Sequence, residues 1–209
     1  MNLKAKYGSQ VQDYLEESSK LQSMVAGECL DAILETAELI ISAFESGSKL
    51  LLCGNGGSAA DCQHVATELV SALTKEFERP GLPAIALTTD TSMLTAYSND
   101  TGFEGVFERQ VSALGKPGDV LLGISTSGNS VNVIRAVEAA NKTGIRTVGL
   151  TGAGGNLGDL CTVAIAVPSN DTQHIQESHL AIEHVICHLI EQSMFAGEKG
   201  MITTNHDHH

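Results

Sequence analysis

The sequence predicts an α/β fold, a parallel sheet with helices on both faces, and three observations carry that prediction. From about residue 47 onward, short apolar runs alternate with helix-like stretches, the pattern of strands joined by crossover helices. The runs are almost continuously apolar, as strands buried on both sides must be. Two of them, Lys49–Leu52 and Val120–Ile124, lead straight into Gly/Ser loops: CGNGGS at Cys53–Ser58 and STSGNS at Ser125–Ser130. Strand, loop and helix N-terminus in that order bind anions, because loop amides and the helix dipole point at the ligand.

Residues 9–46 read as two helices. Leu30, Leu34, Ala37, Ile41 and Phe44 follow the three-then-four spacing of an apolar stripe, with Glu35, Glu38 and Glu45 outside it. Gly47 fits the helix end. Strands are then predicted at Lys49–Cys53, Pro83–Leu87, Val120–Ile124, Arg146–Leu150 and Val163–Val167. Helices fall at Ala59–Leu73, Phe103–Leu114 and Val131–Thr143, and a last amphipathic helix at Thr172–Phe195. Beyond it the chain lacks apolar periodicity and ends in His206, Asp207, His208 and His209, which reads as a frayed tail rather than a metal site. Ligands of open α/β sheets bind outside the carboxyl ends of the strands. Both Gly/Ser loops sit at such ends and can converge on one pocket.

Composition narrows the ligand. The 209 residues suit one well-packed domain, with no repeat or interdomain linker. A formal charge of −13, no tryptophan and few aromatics exclude nucleic acid as a partner, since its binding needs cationic side chains and stacking platforms. A bound phosphate must then be held by amides and hydroxyls, and Ser125, Thr126, Ser127 and Ser130 supply four of the latter. Met1–Gln10 lacks the apolar core of a signal peptide. No apolar run approaches the ~18 residues of a membrane helix. The five cysteines (Cys29, Cys53, Cys62, Cys161, Cys187) are odd in number and set in apolar surroundings. They read as buried free thiols of a reducing cytoplasm.

The helix after the first loop carries His64 and Glu68, four residues apart and so neighbours on one face. The last helix carries Gln176, Glu177, His179, Glu183, His184 and His188. Imidazole and carboxylate together suit zinc or a similar ion. Equally, a carboxylate beside a phosphorylated sugar suits the general base of an isomerase, with a histidine as the acid. Spacing does not choose among His179, His184 and His188, and a lone histidine on an amphipathic helix is more often structural than functional.

Taken together, Gly54–Ser58 with Asp61, His64 and Glu68, then Ser125–Ser130, then Ile175-Gln176-Glu177 with His179 and His184, resemble the sugar isomerase domain superfamily. Within it they are most similar to the phosphoheptose isomerases, in the same order and over nearly the whole chain. The resemblance implies a flavodoxin-like five-stranded parallel sheet. It also implies N-terminal helices (1–46) that build a homotetramer with active sites at subunit interfaces, a sugar isomerase domain (47–196) and a flexible tail (197–209). It implies a cytoplasmic enzyme converting D-sedoheptulose 7-phosphate into D-glycero-D-manno-heptose 7-phosphate through an enediol, the first step towards ADP- or GDP-heptose. Glu68 then corresponds to the general base and His184 to its acid/base partner. His64, Glu68, Gln176 and His184 correspond to the ligands of one zinc per subunit. Asn55, Gly56, Gly57, Glu68, Asn99, Asp100, Ser125, Thr126, Ser127, Ser130 and Gln176 correspond to substrate-binding positions. Three positions depart from the pattern: Ala72 stands where an arginine is common, His174 replaces an arginine before Ile-Gln-Glu, and Gln173 stands just before it where an acidic residue occurs. The same superfamily contains non-catalytic tetramers that bind the replication initiator protein, sugar-sensing regulatory modules fused to DNA-binding domains, and isomerases of other phosphosugars. Glu68 and His184 favour an enzyme over the first. The absence of a basic patch disfavours the second.

Overall fold

The computed structural model describes residues 1–75 and 78–196; the predicted tail at 197–209 lies outside them. Five strands form one all-parallel sheet: β1 (Leu50–Gly54), β2 (Ala84–Ala86), β3 (Val120–Ser125), β4 (Arg146–Thr151) and β5 (Val163–Ala166). Their order is β2-β1-β3-β4-β5, the flavodoxin-like arrangement. Register places Leu50 opposite both Ala84 and Val120, and Gly54 opposite Ile124. Side chains alternate across this sheet, so one strand feeds two cores. Leu50, Leu52, Leu122 and Ile165 face one core; Leu51, Cys53 and Leu121 face the other.

Eight α-helices cover the two faces among the described residues. On the first lie α1 (Leu3–Glu28), α2 (Leu30–Glu45), α3 (Gly57–Val70) and α8 (Thr172–Phe195). The other carries α5 (Val106–Leu114), α6 (Val131–Lys142) and the short α7 (Leu157–Leu160), with α4 (Thr91–Asp100) at its margin. The change of face follows from handedness. The chain steps from β1 outward to β2, then reverses across β1 to β3, and right-handed crossovers in opposite directions put their helices on opposite sides.

Three expectations are corrected. The stripe of α2 is rotated: Ala37 and Phe44 are buried together with Ile33 and Ile40, whereas Leu30 is 51% and Leu34 42% exposed. The physical reason is that α2 packs on α8 and β5 through the Ile33–Ile40 edge of its apolar arc. The stretch Phe103–Leu114 is not one helix, because a 3-10 turn at Phe103–Gly105 precedes α5. Helix α4 is additional: none of its residues is buried, so its sequence carries no apolar period, and the Asp90 side chain starts it by accepting from the Met93 amide at 2.9 Å. All five cysteines are free thiols and four are buried. Burial pushes the Cys53 and Cys62 thiols far up, so neither flanks the loop as a nucleophile. Among the described residues no helix is long and apolar enough to cross a membrane.

Candidate active site

The two Gly/Ser loops leave the carboxyl ends of β1 and β3, neighbours in the sheet. The strand order reverses between them, which opens a crevice. They are tied together directly. Asn55 Nδ2 donates to Asn132 Oδ1 and Asn132 Nδ2 to Asn55 Oδ1, both at 2.8 Å. This reciprocal amide pair spans from the first loop to the first turn of α6.

In the second loop three hydroxyls converge: Ser125 Oγ lies 2.9 Å from Ser130 Oγ and 3.4 Å from Ser127 Oγ. Gly128 turns the loop at φ 64°, with its backbone so close to Gly154 that a Cβ would overlap the Gly154 carbonyl. The Thr126 carbonyl accepts from Gly152 N at 3.1 Å, and the Gly128 carbonyl accepts from Asn156 N and Leu157 N, both at 3.0 Å. The loop after β4 is thus the floor under the serines.

Helices α3 and α6, which open on these loops, have no side-chain cap at their N-termini. By contrast α1, α4 and α8 are capped by Asn2, Asp90 and Asp171. Helices α2 and α5 also lack such caps, but each continues a preceding helical turn. At α6 the N-cap hydroxyl of Ser130 is turned to Ser125 instead. The third amide of each site helix is taken, Ala59 N by the Gly56 carbonyl at 3.1 Å and Val133 N by Asn132 Oδ1 at 3.0 Å. The first two amides and the positive dipole end of each are what an anionic ligand can use.

The ionisable cluster joins α3 to α8. His64 Nε2 lies 2.8 Å from His184 Nε2, with the rings nearly perpendicular at 88°, and 3.7 Å from Glu68 Oε1. Gln176, one turn and a half into α8 from the Asp171 cap, packs on Gly57, where any side chain would collide with its amide. Its Nε2 donates to Asp61 Oδ2 at 3.4 Å. The three histidines left open by spacing now separate. His184 faces His64. His179 is fully buried, with its Nε2 donating to the Thr151 carbonyl at 3.0 Å. His188 is exposed.

Burial raises the Asp61 carboxyl, opposed by the Gln176 hydrogen bond and by His64. Burial, with Asp61 second, pushes Glu183 up to about 9; both of its oxygens lack a partner among the described residues. A neutral acid therefore sits behind the cluster at neutral pH. Burial lowers His179 to about 4.

Most of the sequence-predicted site residues are joined by these contacts. Asn55 pairs with Asn132, Gly56 starts α3 and Gly57 meets Gln176; His64, Glu68 and His184 form the cluster; Ser125, Thr126, Ser127 and Ser130 line the second loop. Asn99 and Asp100 stand apart: at the exposed end of α4, Asn99 Nδ2 donates to Asp100 Oδ1 at 2.8 Å, and among the described residues no hydrogen bond links them to either loop. Sequence reasoning missed Asn132 and the Gly152–Asn156 floor, and it gave Glu183 no role apart from its neighbours on the last helix. Only Asn132 left a signal, a polar residue where the helix should begin its apolar face.

As potential metal ligands, His64, Glu68, His184 and Gln176 offer two imidazoles, a carboxylate and an amide oxygen, a donor set suited to zinc. The Nε2 atoms of His64 and His184 meet at 2.8 Å, so the two imidazoles already face each other from α3 and α8. Among the described residues no three His, Cys, Asp or Glu side chains are already closed round a metal position.

Comparison with known proteins agrees with this architecture. Residues 13–152 match the SIS domain family. The phosphoheptose isomerase of Trichlorobacter lovleyi is 51% identical over 193 residues, covering 90% of this chain and 95% of the relative. That of Roseiflexus sp. is 52% identical over 184 residues, covering 88% and 92%. The solved phosphoheptose isomerase from Neisseria gonorrhoeae superposes with a TM-score of 0.83 at 42% identity, over 88% of this chain and 98% of that one. Fold order, paired loops and sequence lead to one assignment: the chain belongs to the SIS domain family and, within it, to the phosphoheptose isomerases.

Proposed function

We propose that the chain is a ketose–aldose isomerase converting D-sedoheptulose 7-phosphate into D-glycero-D-manno-heptose 7-phosphate. The observation that carries this reading is the His64–His184–Glu68 cluster standing beside an uncapped, serine-lined anion cradle, with the two held in fixed relation by the Asn55–Asn132 pair.

In this reading Ser125, Thr126, Ser127 and Ser130, with the first amides of α6, hold the phosphate. Asn55, Gly56, Gly57, Gln176, Asn99 and Asp100 position the sugar. Glu68 carboxylate takes the proton from C1, and the C–H electron pair becomes the C1–C2 double bond while His184 gives a proton to the C2 oxygen. The enediol then collapses in reverse order: His184 takes the proton from the C1 oxygen, and Glu68 returns its proton to C2. The atoms balance and no external reductant is needed. The proposed ligands His64, Glu68, Gln176 and His184 would hold one zinc ion, which as a Lewis acid would polarise the sugar oxygens.

We also propose that the N-terminal helices (1–46) form the contact surface of a homotetramer and that the domain proper spans 47–196. Exposed Leu3, Val11 and Leu15 on α1, with Leu30 and Leu34 on α2, support it.

The test is Glu68→Gln, which keeps shape and hydrogen bonding but removes the base. Isomerisation followed by NMR with sedoheptulose 7-phosphate should fall by ~10³-fold or more, with the far-UV circular dichroism unchanged. Wild-type turnover by this variant would sink the assignment of Glu68.

A further inference from the structure

Helix α3 ends at Val70, two residues after Glu68, and its last carbonyls need donors. Arg79, from the connection to β2, comes back to supply them. Its Nη2 donates to the Glu68 carbonyl and its Nη1 to the Leu69 carbonyl, both at 2.8 Å, with a further bond from Nη1 to the Pro80 carbonyl at 3.1 Å. The other edge of the guanidinium meets Glu191 Oε1 of α8, from Nε at 2.8 Å and Nη2 at 2.7 Å. The same oxygen accepts from Leu73 N at 3.0 Å, while Glu191 Oε2 is buried without a partner among the described residues. The Phe195 ring lies 5.8 Å from the guanidinium carbon. The two charged side chains are 0% and 1% exposed.

One buried cation therefore binds the backbone of the residue that carries the proposed base and the helix that carries its proposed partner, two turns after His184. Such a pair is poor evidence for stability, because desolvating both charges offsets their attraction. What it supplies is geometry. The planar fork of arginine meets four acceptors at fixed angles, which a lysine cannot do, and its charge suits a helix C-terminus.

We propose that Arg79, braced by Glu191, is a positioning residue that sets Glu68 against His184 by fixing the end of α3 to α8. This rests on the reading of Glu68 and His184 as the proton-transfer pair.

The test compares Arg79→Lys, Glu191→Gln and the double variant Arg79→Met/Glu191→Leu, which leaves no buried charge unpaired. The readouts are kcat, KM and Tm for the full chain with sedoheptulose 7-phosphate, well below each Tm. Arg79→Lys and the double variant should lower kcat by about tenfold or more, as a misplaced base does, with KM within about twofold. Arg79→Lys combined with Glu68→Asp should cost less than the product of the two single effects, because both act on one carboxylate position. If Tm falls while kcat stays at the wild-type value, Arg79 is only a strut and the proposal is overturned. Should single variants fail to fold, the double variant decides by the same criterion. Glu68→Gln in the same assay keeps the two readings apart. If it is inactive and the Arg79 variants are not, positioning alone fails; if it turns over normally, the base reading fails and takes the proposal with it.

Discussion

Gly57 shows how much of this site depends on a side chain that is not there. The Gln176 amide occupies the space a Cβ would need, so Gly57→Ala should push Gln176 off the start of α3 while leaving the sheet untouched. We expect kcat/KM to drop by about tenfold to a hundredfold, the effect of roughly an ångström of misplacement, with a Tm change of only a few degrees. Bound zinc measured by elemental analysis should fall in parallel if Gln176 is a ligand. Legibility at this scale was uneven. The hydroxyls of Ser125–Ser130 and the His64/Glu68 spacing could be read directly, because local periodicity places them. The choice of His184 over His179 could not, since it depends on which side of α8 meets α3 and which meets the end of β4. The Asn55–Asn132 pair was equally hidden, being a contact across 77 positions.

At the scale of elements, α8 carries two buried groups whose titrations act on stability with opposite sign, His179 and Glu183. His179 is held neutral down to about 4 by burial, whereas in the unfolded chain it takes a proton near its ordinary value of about 6.5. Between those values the unfolded state binds more protons. The contribution of His179 to stability therefore falls as pH drops from about 6.5 to about 4, by up to roughly 3 kcal/mol, against the opposite contribution of Glu183. His179→Gln retains a donor for the Thr151 carbonyl but does not titrate. Relative to wild type, its urea midpoint should gain as the pH is lowered from 7 to 4; a pH-independent difference would remove His179 from the account. The strands were legible because continuous apolar runs such as Leu50–Cys53 have no other use in a chain this polar. Helix α4 was not, because it buries nothing and is specified only by Asp90. Helix α2 was found but its face was misread. Its apolar arc is broad enough for two phases of the stripe, and the packing of α8 and β5, not the period, selects one.

For the whole molecule, the rotated stripe has a positive meaning. Leu30 and Leu34 border an apolar groove of about 360 Å³ with Val25, Ile33, Ile182 and Val185, between α1, α2 and α8. An apolar groove in a chain carrying −13 charges suits a subunit contact, and the proposed tetramer would supply its occupant. Leu34→Glu should therefore shift the mass measured by light scattering towards dimer or monomer. A variant that stayed tetrameric would exclude this face from the interface. The fold as a whole was legible from alternation and strand polarity. The assembly was not, because an apolar helix face reads the same whether its own chain or another covers it.

The uncapped starts of α3 and α6 bear on the economy of the free protein. A side-chain cap contributes about 1 kcal/mol to a helix, and these two helices forgo it where the helices α1, α4 and α8 do not. In the proposed reading, a phosphorylated sugar that filled both positions would act as their missing first residue. It completes the secondary structure as it binds, so part of its affinity is folding free energy that the polypeptide has deferred. The fold and its ligand are then two instalments of a single structure.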